Sequence, residues 1–231
     1  MDNIPEENCT IVVPAYNEEK RILRFLDEAL LFGGRFIFVC DGTDKTDEIV
    51  KKFGEENPGL KIKIIRSNTR LGKGGGIIEG IKAAETDYAG FVDADGSTSV
   101  SELKRLFSGL DRYDCVIGSR WLPESKVSVK QSLSRRIQSR IFNLAIRVLF
   151  SLPYRDTQCG AKVFRKKSLD RILPDVTSRG FEFDVEILWC MKKAGCKIHE
   201  VPISWNDMEL SHVGGGDGIK MIYNLVKIRF G

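Results

Sequence analysis

The sequence predicts an α/β fold in which helices flank a mostly parallel sheet, and three observations lead to this prediction. Short apolar segments typical of buried strands alternate with longer amphipathic segments typical of helices. No internal repeat, low-complexity tract or linker interrupts this order. With 231 residues and a hydrophobic content of 42%, the chain is long enough for one substantial core. We therefore expect a single domain that spans residues 1–231.

The elements follow one another regularly through the first half of the chain. The predicted strands are TIVVPAY, FIFVC, KIKIIR, YAGFVDA and CVIGS. The predicted helices between them are EKRILRFLDEALLF, DKTDEIVKKFGEE, IIEGIKAAE and SELKRLFSGL. Because each strand is followed by a helix that returns the chain to the same edge, we expect βαβ units with parallel strands.

The pattern changes after Arg120, where a polar, basic connection leads into the segment RRIQSRIFNLAIRVLFSLPY. Its apolar residues recur at helical spacing in two stripes, a first of Ile137, Ile141, Leu144, Ala145, Val148 and Leu149 and a second of Phe142, Ile146 and Phe150. A helix this apolar is either buried between layers or in contact with an apolar surface. A strand (AKVFR), a helix (EFDVEILWCMKKAG), a strand (IHEVPISW) and an amphipathic segment (GIKMIYNLVKIRFG) complete the predicted order.

The composition indicates where the protein works. The six cysteines form no C-x-x-C pair, so neither a zinc site nor a disulfide framework is expected, and a reducing cytoplasm fits best. The first residues have no apolar core, and no run reaches the roughly 18 apolar residues of a membrane span, so we expect neither a signal peptide nor a transmembrane span. The net charge is only +4, but residues 120–147 hold seven Lys or Arg against one acidic residue, which predicts a basic face.

Polar residues follow four of the predicted strands, at the point where each strand ends. They are residues 14–19, Asp41, the pair Asp93 and Asp95, and residues 118–120. Because the carboxyl ends of parallel strands meet at one edge of a sheet, and ligands gather there, these residues predict a single binding rim.

Asp93 and Asp95 stand two residues apart, so both carboxylates point to the same side if the strand persists through them. Two adjacent carboxylates repel each other and raise one pKa unless a cation joins them. Mg²⁺ binds one or two carboxylates together with substrate phosphate oxygens. The sequence therefore predicts a divalent-ion site. The alternative is an Asp-Gly turn in which Ser97 or Ser99 caps the following helix.

Two further stretches allow both a binding and a structural interpretation. The stretch NTRLGKGGG matches neither common glycine-rich nucleotide motif, but its glycines would let a helix N-terminus approach an anion, with Lys73 adding a charge. The alternative is a flexible lead-in to a helix. In PAYNEEK, the structural alternative is that Asn17 caps a helix, with Glu18 and Glu19 at the positive end of the helix dipole.

A hydrolytic triad is not expected, because neither of the two histidines lies beside a Ser or Cys nucleophile with an acidic partner. We interpret His199, in a predicted strand, as structural. His212 lies in a glycine-rich loop, where it is a candidate contact to a phosphate.

Eight segments between Thr10 and about Trp205 resemble the family 2 glycosyltransferases with the GT-A fold, and in particular the polyprenyl-phosphate sugar synthases. In chain order they are VVPAYNEEKRI, DGTDKT, NTRLGKGGG, DADGST, GSR, RR-x-x-S-R, DTQCGAKVF and FEFDVEIL. Dolichyl-phosphate mannose synthases usually continue their aspartate motif as D-A-D-L-Q, whereas this chain continues as D-A-D-G-S-T. Together with DTQCG, this makes the chain more similar to dolichyl-phosphate β-glucosyltransferases.

The resemblance implies roles for the matching positions. The implied nucleotide-sugar-binding residues are Pro14, Ala15, Tyr16, Glu18, Asp41, Lys73, Asp93 and His212. The implied metal ligands for Mg²⁺ or Mn²⁺ are Asp95, as the main ligand, and Asp93. The implied catalytic residues are Asp93, Asp95, Arg120, Arg135, Ser139 and Asp156, of which Arg120, Arg135 and Ser139 match positions that hold the acceptor phosphate. In the C-terminal loop we find no equivalent of the mannose synthases' arginine, and His212 replaces a lysine.

The implied activity is an inverting transfer of a sugar, with glucose from a UDP-sugar as the first candidate, to dolichyl or polyprenyl phosphate. A phosphomonoester has a second pKa of about 6 and needs no protein base, which agrees with the shortage of histidines. Residues of about 126–154 are then interpreted as basic and apolar helices in a membrane interface, and residues 206–231 as a loop followed by a second contact. This places the protein peripherally on the cytoplasmic face of a membrane. A core helix remains the alternative for the first of these segments.

Other functions remain open on the sequence alone. The donor could be UDP-GlcNAc or GDP-mannose, and the acceptor could be a soluble glycan. A nucleotide-sugar-binding module without turnover would use the same pocket. Nucleic-acid binding is not expected, because aromatic residues are not interleaved with the basic ones.

Overall fold

The computed structural model describes residues 4–128, 133–206 and 215–231, with side chains described in these ranges except at residues 133–139, 141 and 215–220. The strands are β1 (Cys9–Ala15), β2 (Arg35–Cys40), β3 (Lys61–Arg66), β4 (Tyr88–Phe91), β5 (Cys115–Ser119), β6 (Lys126–Ser128), β7 (Lys162–Arg165), β8 (Ile198–Pro202) and β9 (Ser204–Asn206). The α-helices are α1 (Ile22–Ala29), α2 (Thr46–Glu56), α3 (Gly72–Lys82), α4 (Val100–Ser108), α5 (Leu133–Phe150), α6 (Lys166–Ile172), α7 (Phe183–Lys193) and α8 (Gly215–Phe230).

Seven strands of the described ranges form one sheet in the order β3-β2-β1-β4-β7-β5-β8. Strand β7 runs antiparallel to both of its neighbours, and the other pairs are parallel. The predicted α/β class and mostly parallel sheet are thereby confirmed. The predicted strand IHEVPISW is two strands, because β9 leaves the large sheet and pairs with β6. Neither α6 nor β6 is among the predicted elements.

Helices cover both faces of the sheet, and each face has its own apolar core. On one face, Ile22, Phe25, Leu26 and Ala29 of α1 recur at helical spacing and are buried together with residues of α2 and α4. On the other face, apolar residues of α3, α5, α6, α7 and α8 pack around Phe91 of β4. Burial on both faces explains why the central strands are apolar runs rather than alternating ones.

Helix α3 begins at Gly72, earlier than predicted, and so contains the glycine run. Glycine is a poor helix former, but this helix approaches its neighbours too closely for side chains at two positions. A Cβ at Gly80 would lie 2.3 Å from Cγ1 of Val12, and one at Gly74 would lie 2.6 Å from Cβ of Phe183. The glycines therefore serve close packing against β1 and α7, and the interpretation as a flexible lead-in is wrong.

The two apolar stripes of α5 have different surroundings. Ile146 and Phe150 of the second stripe are buried, whereas Leu144 and Val148 of the first stripe are 57% and 72% exposed. The core-helix alternative therefore holds for Ile146 and Phe150, and Leu149 of the first stripe also packs against the core. Helix α8 is divided in the same way, with Met221 and Leu225 buried and Ile222, Tyr223, Val226 and Phe230 exposed. Among the residues that the structure describes, no helix has both the length and the apolar character to cross a membrane.

Candidate active site

The polar strand ends that the sequence predicts do share one edge of the sheet. Ala15 at the end of β1 lies beside Cys40 at the end of β2. Phe91 of β4 and Ile117 of β5 both lie beside Lys162, the first residue of the antiparallel β7. The edge therefore brings together the ends of four parallel strands and the start of β7, and the predicted rim is present.

Asp93 lies at this rim and is held by a lysine. Nζ of Lys73, near the start of α3, lies 2.9 Å from Oδ1 of Asp93 and 3.0 Å from Oδ2 of Asp184 on α7. Asp184 also accepts a hydrogen bond of 2.5 Å from Nζ of Lys162. Burial disfavours the charge of Lys73, but the two carboxylates outweigh this effect and raise its pKa. Lys73 is therefore a fixed cation beside Asp93.

Gly160 closes the other side of the Asp93 carboxylate. A Cβ at this position would lie 1.8 Å from Oδ2 of Asp93 and 2.9 Å from Oδ1. The antiparallel pairing of Phe91 with Lys162 explains this contact, because continuing the register by two residues places Asp93 opposite Gly160. The position of Asp93 therefore requires glycine at residue 160.

Asp95 lies in a turn and not in a strand, because β4 ends at Phe91. Oδ1 of Asp95 accepts a hydrogen bond of 2.9 Å from the backbone N–H of Ser97, and Gly96 supplies the left-handed backbone with φ of 74°. Ser99 caps α4 by accepting a bond from the N–H of Glu102. The turn and cap that the sequence offered as an alternative are thus present, and they orient Asp95.

The chemistry of the aspartate pair fits a divalent metal ion. Burial, and after it the charge of Asp93, raises the pKa of Asp95, and these effects outweigh the hydrogen bonds of Ser97 and the charge of Arg21. Carboxylate oxygens are the hard ligands that Mg²⁺ and Mn²⁺ prefer. In the described ranges no group of three or more His, Cys, Asp or Glu side chains is placed to hold a metal ion. Within the part of the chain that the structure describes, the candidate ligands are therefore Asp93 and Asp95 themselves.

Arg120 follows β5 and is oriented by Asp156. Its backbone N–H and Nε both donate to Oδ2 of Asp156, at 3.0 Å and 2.7 Å, and Nη2 donates to Oδ1 at 3.0 Å. Asp156 has no exposed surface, and its own N–H donates to Glu200. Burial by itself would raise the pKa of Asp156, but the charge and bonds of Arg120 hold it below its ordinary value. Asp156 therefore positions the guanidinium.

A third cluster involves Tyr16 and Asp41. Asp41 accepts two hydrogen bonds of 2.6 Å from Nη1 of Arg70 and further bonds from the N–H groups of Leu71 and Gly72. The guanidinium of Arg70 lies 3.6 Å from the centre of the Tyr16 ring. Sequence reasoning did not single out Arg70, although it lies in the NTRLGKGGG stretch.

Four backbone N–H groups at the start of α3 already donate to groups of the protein. Asp41 accepts from Leu71 and Gly72, as above, and the N–H groups of Gly74 and Gly75 donate to the carbonyl oxygens of Gly180 and Arg179. The anion at this helix end is thus an internal carboxylate. These backbone groups are not available to a bound phosphate, so Lys73 is the part of the stretch that can serve a ligand.

The PAYNEEK stretch binds loops together and does not cap α1. Helix α1 begins only at Ile22, and Asn17 has a left-handed φ of 56°. The side-chain Oδ1 of Asn17 accepts a bond of 2.8 Å from the N–H of Thr43. Glu18 is buried and pairs with Arg21 at 2.7 Å. The helix-cap interpretation of Asn17 is therefore wrong, and the stretch shapes the rim at the end of β1, where Pro14 and Ala15 lie.

Three predicted site residues have no described side chain. Arg135 and Ser139 lie on α5, and only their backbone is described. His212 lies outside the described residues. The second histidine, His199 on β8, stacks on Tyr113 with ring centres 4.4 Å apart, which agrees with its structural interpretation.

The buried carboxyls give the protein an acid-sensitive stability. The pKa of Asp184, like that of Asp156, lies below its ordinary value of 3.8, because Lys162 and Lys73 outweigh the effect of burial. A carboxyl of this kind stabilises the fold fully above its unfolded pKa, and the contribution is lost as the pH falls through the folded pKa. We expect the melting temperature to drop steeply below about pH 4.

Thermal melts followed by circular dichroism from neutral to acidic pH would measure this decline. Asp170→Asn is the control, since Asp170 is exposed and pairs with Lys166 on the same helix. Its acid decline should match that of the wild type. A melting temperature that stays level through the acid range would contradict the assigned pairs.

Comparison with known proteins identifies the family. The Glycosyl transferase family 2 model matches residues 10–173. A dolichyl-phosphate β-glucosyltransferase of Dictyostelium discoideum is 32% identical over 249 aligned positions, which cover 100% of this chain and 75% of that protein. The enzyme of the same name from Saccharomyces cerevisiae is 31% identical, with 95% and 73% covered, and the one from Homo sapiens is 29% identical, with 89% and 69% covered.

Solved structures share the fold at low sequence identity. The crystal structure of M. tuberculosis glucosyl-3-phosphoglycerate synthase has a TM-score of 0.67 at 16% identity and covers 95% of this chain and 78% of its own. Another structure of that synthase contains Mg²⁺ and UDP. A mannosyltransferase from Pyrobaculum calidifontis, solved with GDP-Man and Mn²⁺, has a TM-score of 0.59 at 17% identity, with 89% and 58% covered. The family model matches more than half of this chain, and the sheet is that of a GT-A protein. This chain therefore belongs to glycosyl transferase family 2 and is a glycosyltransferase.

Proposed function

We propose that this protein transfers a sugar, with glucose as the first candidate, from a UDP-sugar to dolichyl or another polyprenyl phosphate. The observation that carries the proposal is an oriented cation, Arg120, at the same rim as the carboxylates of Asp93 and Asp95. The two sites are close enough for the charge of Asp93 to act on Arg120. A guanidinium held in this way suits an incoming phosphate, and the carboxylate pair suits a metal-bound diphosphate. The names of the eukaryotic relatives support this sugar and this acceptor.

The acceptor half of the site needs no general base. An ionised phosphate oxygen attacks the anomeric carbon while the bond from that carbon to the diphosphate oxygen breaks, and the electron pair leaves with UDP. Arg120, oriented by Asp156, holds the attacking phosphate through charge-assisted hydrogen bonds. Arg135 and Ser139 on α5 complete this phosphate site. A single displacement inverts the anomeric centre, so an α-linked donor gives a β-linked product.

The donor half of the site lies between β1, β2 and α3. Tyr16 and Asp41, together with Pro14, Ala15 and Glu18, surround the nucleoside, and Lys73 and His212 serve the diphosphate. Mg²⁺ or Mn²⁺ bound by Asp95 and Asp93 would supply Lewis-acid neutralisation of the leaving diphosphate.

The acceptor's polyprenyl chain explains the exposed apolar residues on two helices. Leu144 and Val148 of α5 and Tyr223 and Phe230 of α8 are at least half exposed. The two helices are tied at their ends by a bond of 3.0 Å from Nε of Arg229 to the carbonyl of Leu149. Apolar side chains with basic neighbours suit a membrane interface, where anionic head groups and acyl chains both find partners. We place the protein peripherally on the cytoplasmic face of a membrane.

The decisive experiment is a transfer assay with purified protein, Mg²⁺, a UDP-sugar and polyprenyl phosphate. UDP release should require both substrates, and UDP-glucose should exceed UDP-GlcNAc and GDP-mannose as donor. Arg135→Ala should lower turnover about 10- to 100-fold through the loss of one charge-assisted contact.

Arg112→Ala, at an exposed arginine near β5, is the matched control and should retain activity. Turnover that is unchanged by the removal of lipid and by the Arg135 substitution would indicate a soluble glycan acceptor. UDP-sugar binding without product under any acceptor would make the protein a binding module. Either result would overturn the proposal.

A further inference from the structure

Lys162 is a charged residue in the middle of the sheet that the proposed mechanism does not use. It has no exposed surface, and its ammonium lies 5.4 Å from the centre of the Phe91 ring. Nζ donates to Oδ1 of Asp184 at 2.5 Å and to the carbonyl of Cys159 at 2.6 Å. Replacing a buried ion pair by apolar residues is often neutral or stabilising, so such a pair is poor evidence for stability. A role in the site is the stronger explanation.

Asp184 divides its two carboxylate oxygens between two lysines. Oδ1 accepts a hydrogen bond from Nζ of Lys162, and Oδ2 lies 3.0 Å from Nζ of Lys73. Because Oδ1 is committed to a group fixed in the core, the carboxylate cannot turn to give both oxygens to Lys73. Lys73 in turn keeps one side for Asp93, at 2.9 Å. Four residues thus form one chain of contacts, Lys162–Asp184–Lys73–Asp93, from the core to the rim.

The charges alternate along this chain, and burial decreases toward the rim. The side chains of Lys162 and Asp184 are 0% and 3% exposed, whereas those of Lys73 and Asp93 are 14% and 41% exposed. Electrostatic attraction is stronger where water is excluded, so the buried end determines where the ammonium of Lys73 lies. The position of Lys73 in turn determines the position of the Asp93 carboxylate, since Asp93 is confined between Lys73 and Gly160.

We infer that Lys162 and Asp184 are positioning residues: they fix the ammonium of Lys73 and, through it, the Asp93 carboxylate that faces the donor. The inference rests on the proposed function, because it assigns the pair to the binding of a nucleoside diphosphate with its metal ion. It extends that function to two residues that touch neither substrate.

The double variant Lys162→Met/Asp184→Asn tests this inference. It removes one positive and one negative charge together, so the net charge of the cluster is unchanged, whereas either single variant would change it by one. Lys73 and Asp93 are retained. We expect the dissociation constant for UDP with Mg²⁺, measured by calorimetry, to rise at least about tenfold, and kcat/KM for the donor to fall about 100-fold, as for a misplacement of about 1 Å. The KM for polyprenyl phosphate should change less than about twofold.

Glu186→Gln is the matched control. Glu186 is a buried carboxylate on the same helix, but it accepts from Thr177 and Ser178 and not from a lysine. The control should lower the melting temperature and retain UDP affinity. Wild-type UDP affinity in the double variant, or an equal loss in the Glu186 control, would overturn the inference, because the effect would then be absent or merely structural.

A crystal structure of the nucleotide-free double variant gives a readout that does not depend on the reaction. Displacement of the Lys73 ammonium and rotation of the Asp93 carboxylate would support the inference, and unmoved side chains would overturn it. Neither this structure nor the binding measurement involves the acceptor. A failure of the proposed function in the transfer assay would therefore be distinguishable from a failure of the inference.

Discussion

Replacing Gly160 with alanine should lower sugar transfer by about 100-fold or more while the protein remains folded. The added methyl group would lie 1.8 Å from Oδ2 of Asp93, which is far inside contact distance, so the carboxylate must move. Its other oxygen, Oδ1, is held at 2.9 Å by Lys73 and would have to leave that contact. The substitution therefore displaces a group of the proposed donor site by adding one carbon atom.

The measurement is kcat and KM for the donor, together with the dissociation constant for UDP in the presence of Mg²⁺. Gly54→Ala on α2 is the control, because its Cβ would make ordinary contacts with Cδ1 and Cβ of Ile62, at 3.5 Å and 3.9 Å. Removing a glycine from a helix interior should stabilise the control by roughly 0.5–1 kcal/mol and leave transfer unchanged. Full activity in Gly160→Ala would show that the position of Asp93 does not matter for the reaction.

The order of strands and helices could be predicted because it depends on local periodicity. Apolar runs such as FIFVC and the spacing of Ile22, Phe25, Leu26 and Ala29 are properties of neighbouring residues, and they appear as β2 and α1. The rim followed from a general rule, since the carboxyl ends of parallel strands meet at one edge. The presence of Asp41, Asp93 and Arg120 at the ends of β2, β4 and β5 needed no further information.

The contacts around Asp93 could not be predicted, because they depend on long-range pairing. Strand β7 lies between β4 and β5 and runs against both, and this register brings Lys162 beside Phe91 and Gly160 beside Asp93. In the sequence, AKVFR reads only as a short strand, and its lysine has no visible partner. The partner, Asp184, lies 22 residues away on α7. Asp156 was predicted as a site residue, but its hydrogen bonds to Arg120, 36 residues away, could be seen only in the folded structure.

Asp95→Asn should lower transfer about 1,000-fold and at the same time stabilise the metal-free protein. Asparagine is isosteric and can still accept the N–H of Ser97 through its oxygen, so the turn should persist. The pKa of Asp95 is raised by burial and by the charge of Asp93, so the ionised carboxylate destabilises the fold at neutral pH. Removing that charge should raise the melting temperature. Losing the proposed main metal ligand should cost several kcal/mol of transition-state stabilisation, which corresponds to about a 1,000-fold lower kcat.

Opposite signs for stability and activity separate a metal ligand from a residue that maintains the fold. The protein loses stability when the charge is removed from a carboxylate with a lowered pKa, such as Asp156. Melting curves with and without Mg²⁺ and UDP would complete the test, since a ligand that binds only the folded state raises the melting temperature. The two ligands together should raise the melting temperature of the wild type, and they should not raise that of Asp95→Asn. Retained activity in the variant would exclude Asp95 as the residue that binds the metal ion, and a melting temperature below that of the wild type would show that the charge of Asp95 stabilises the fold.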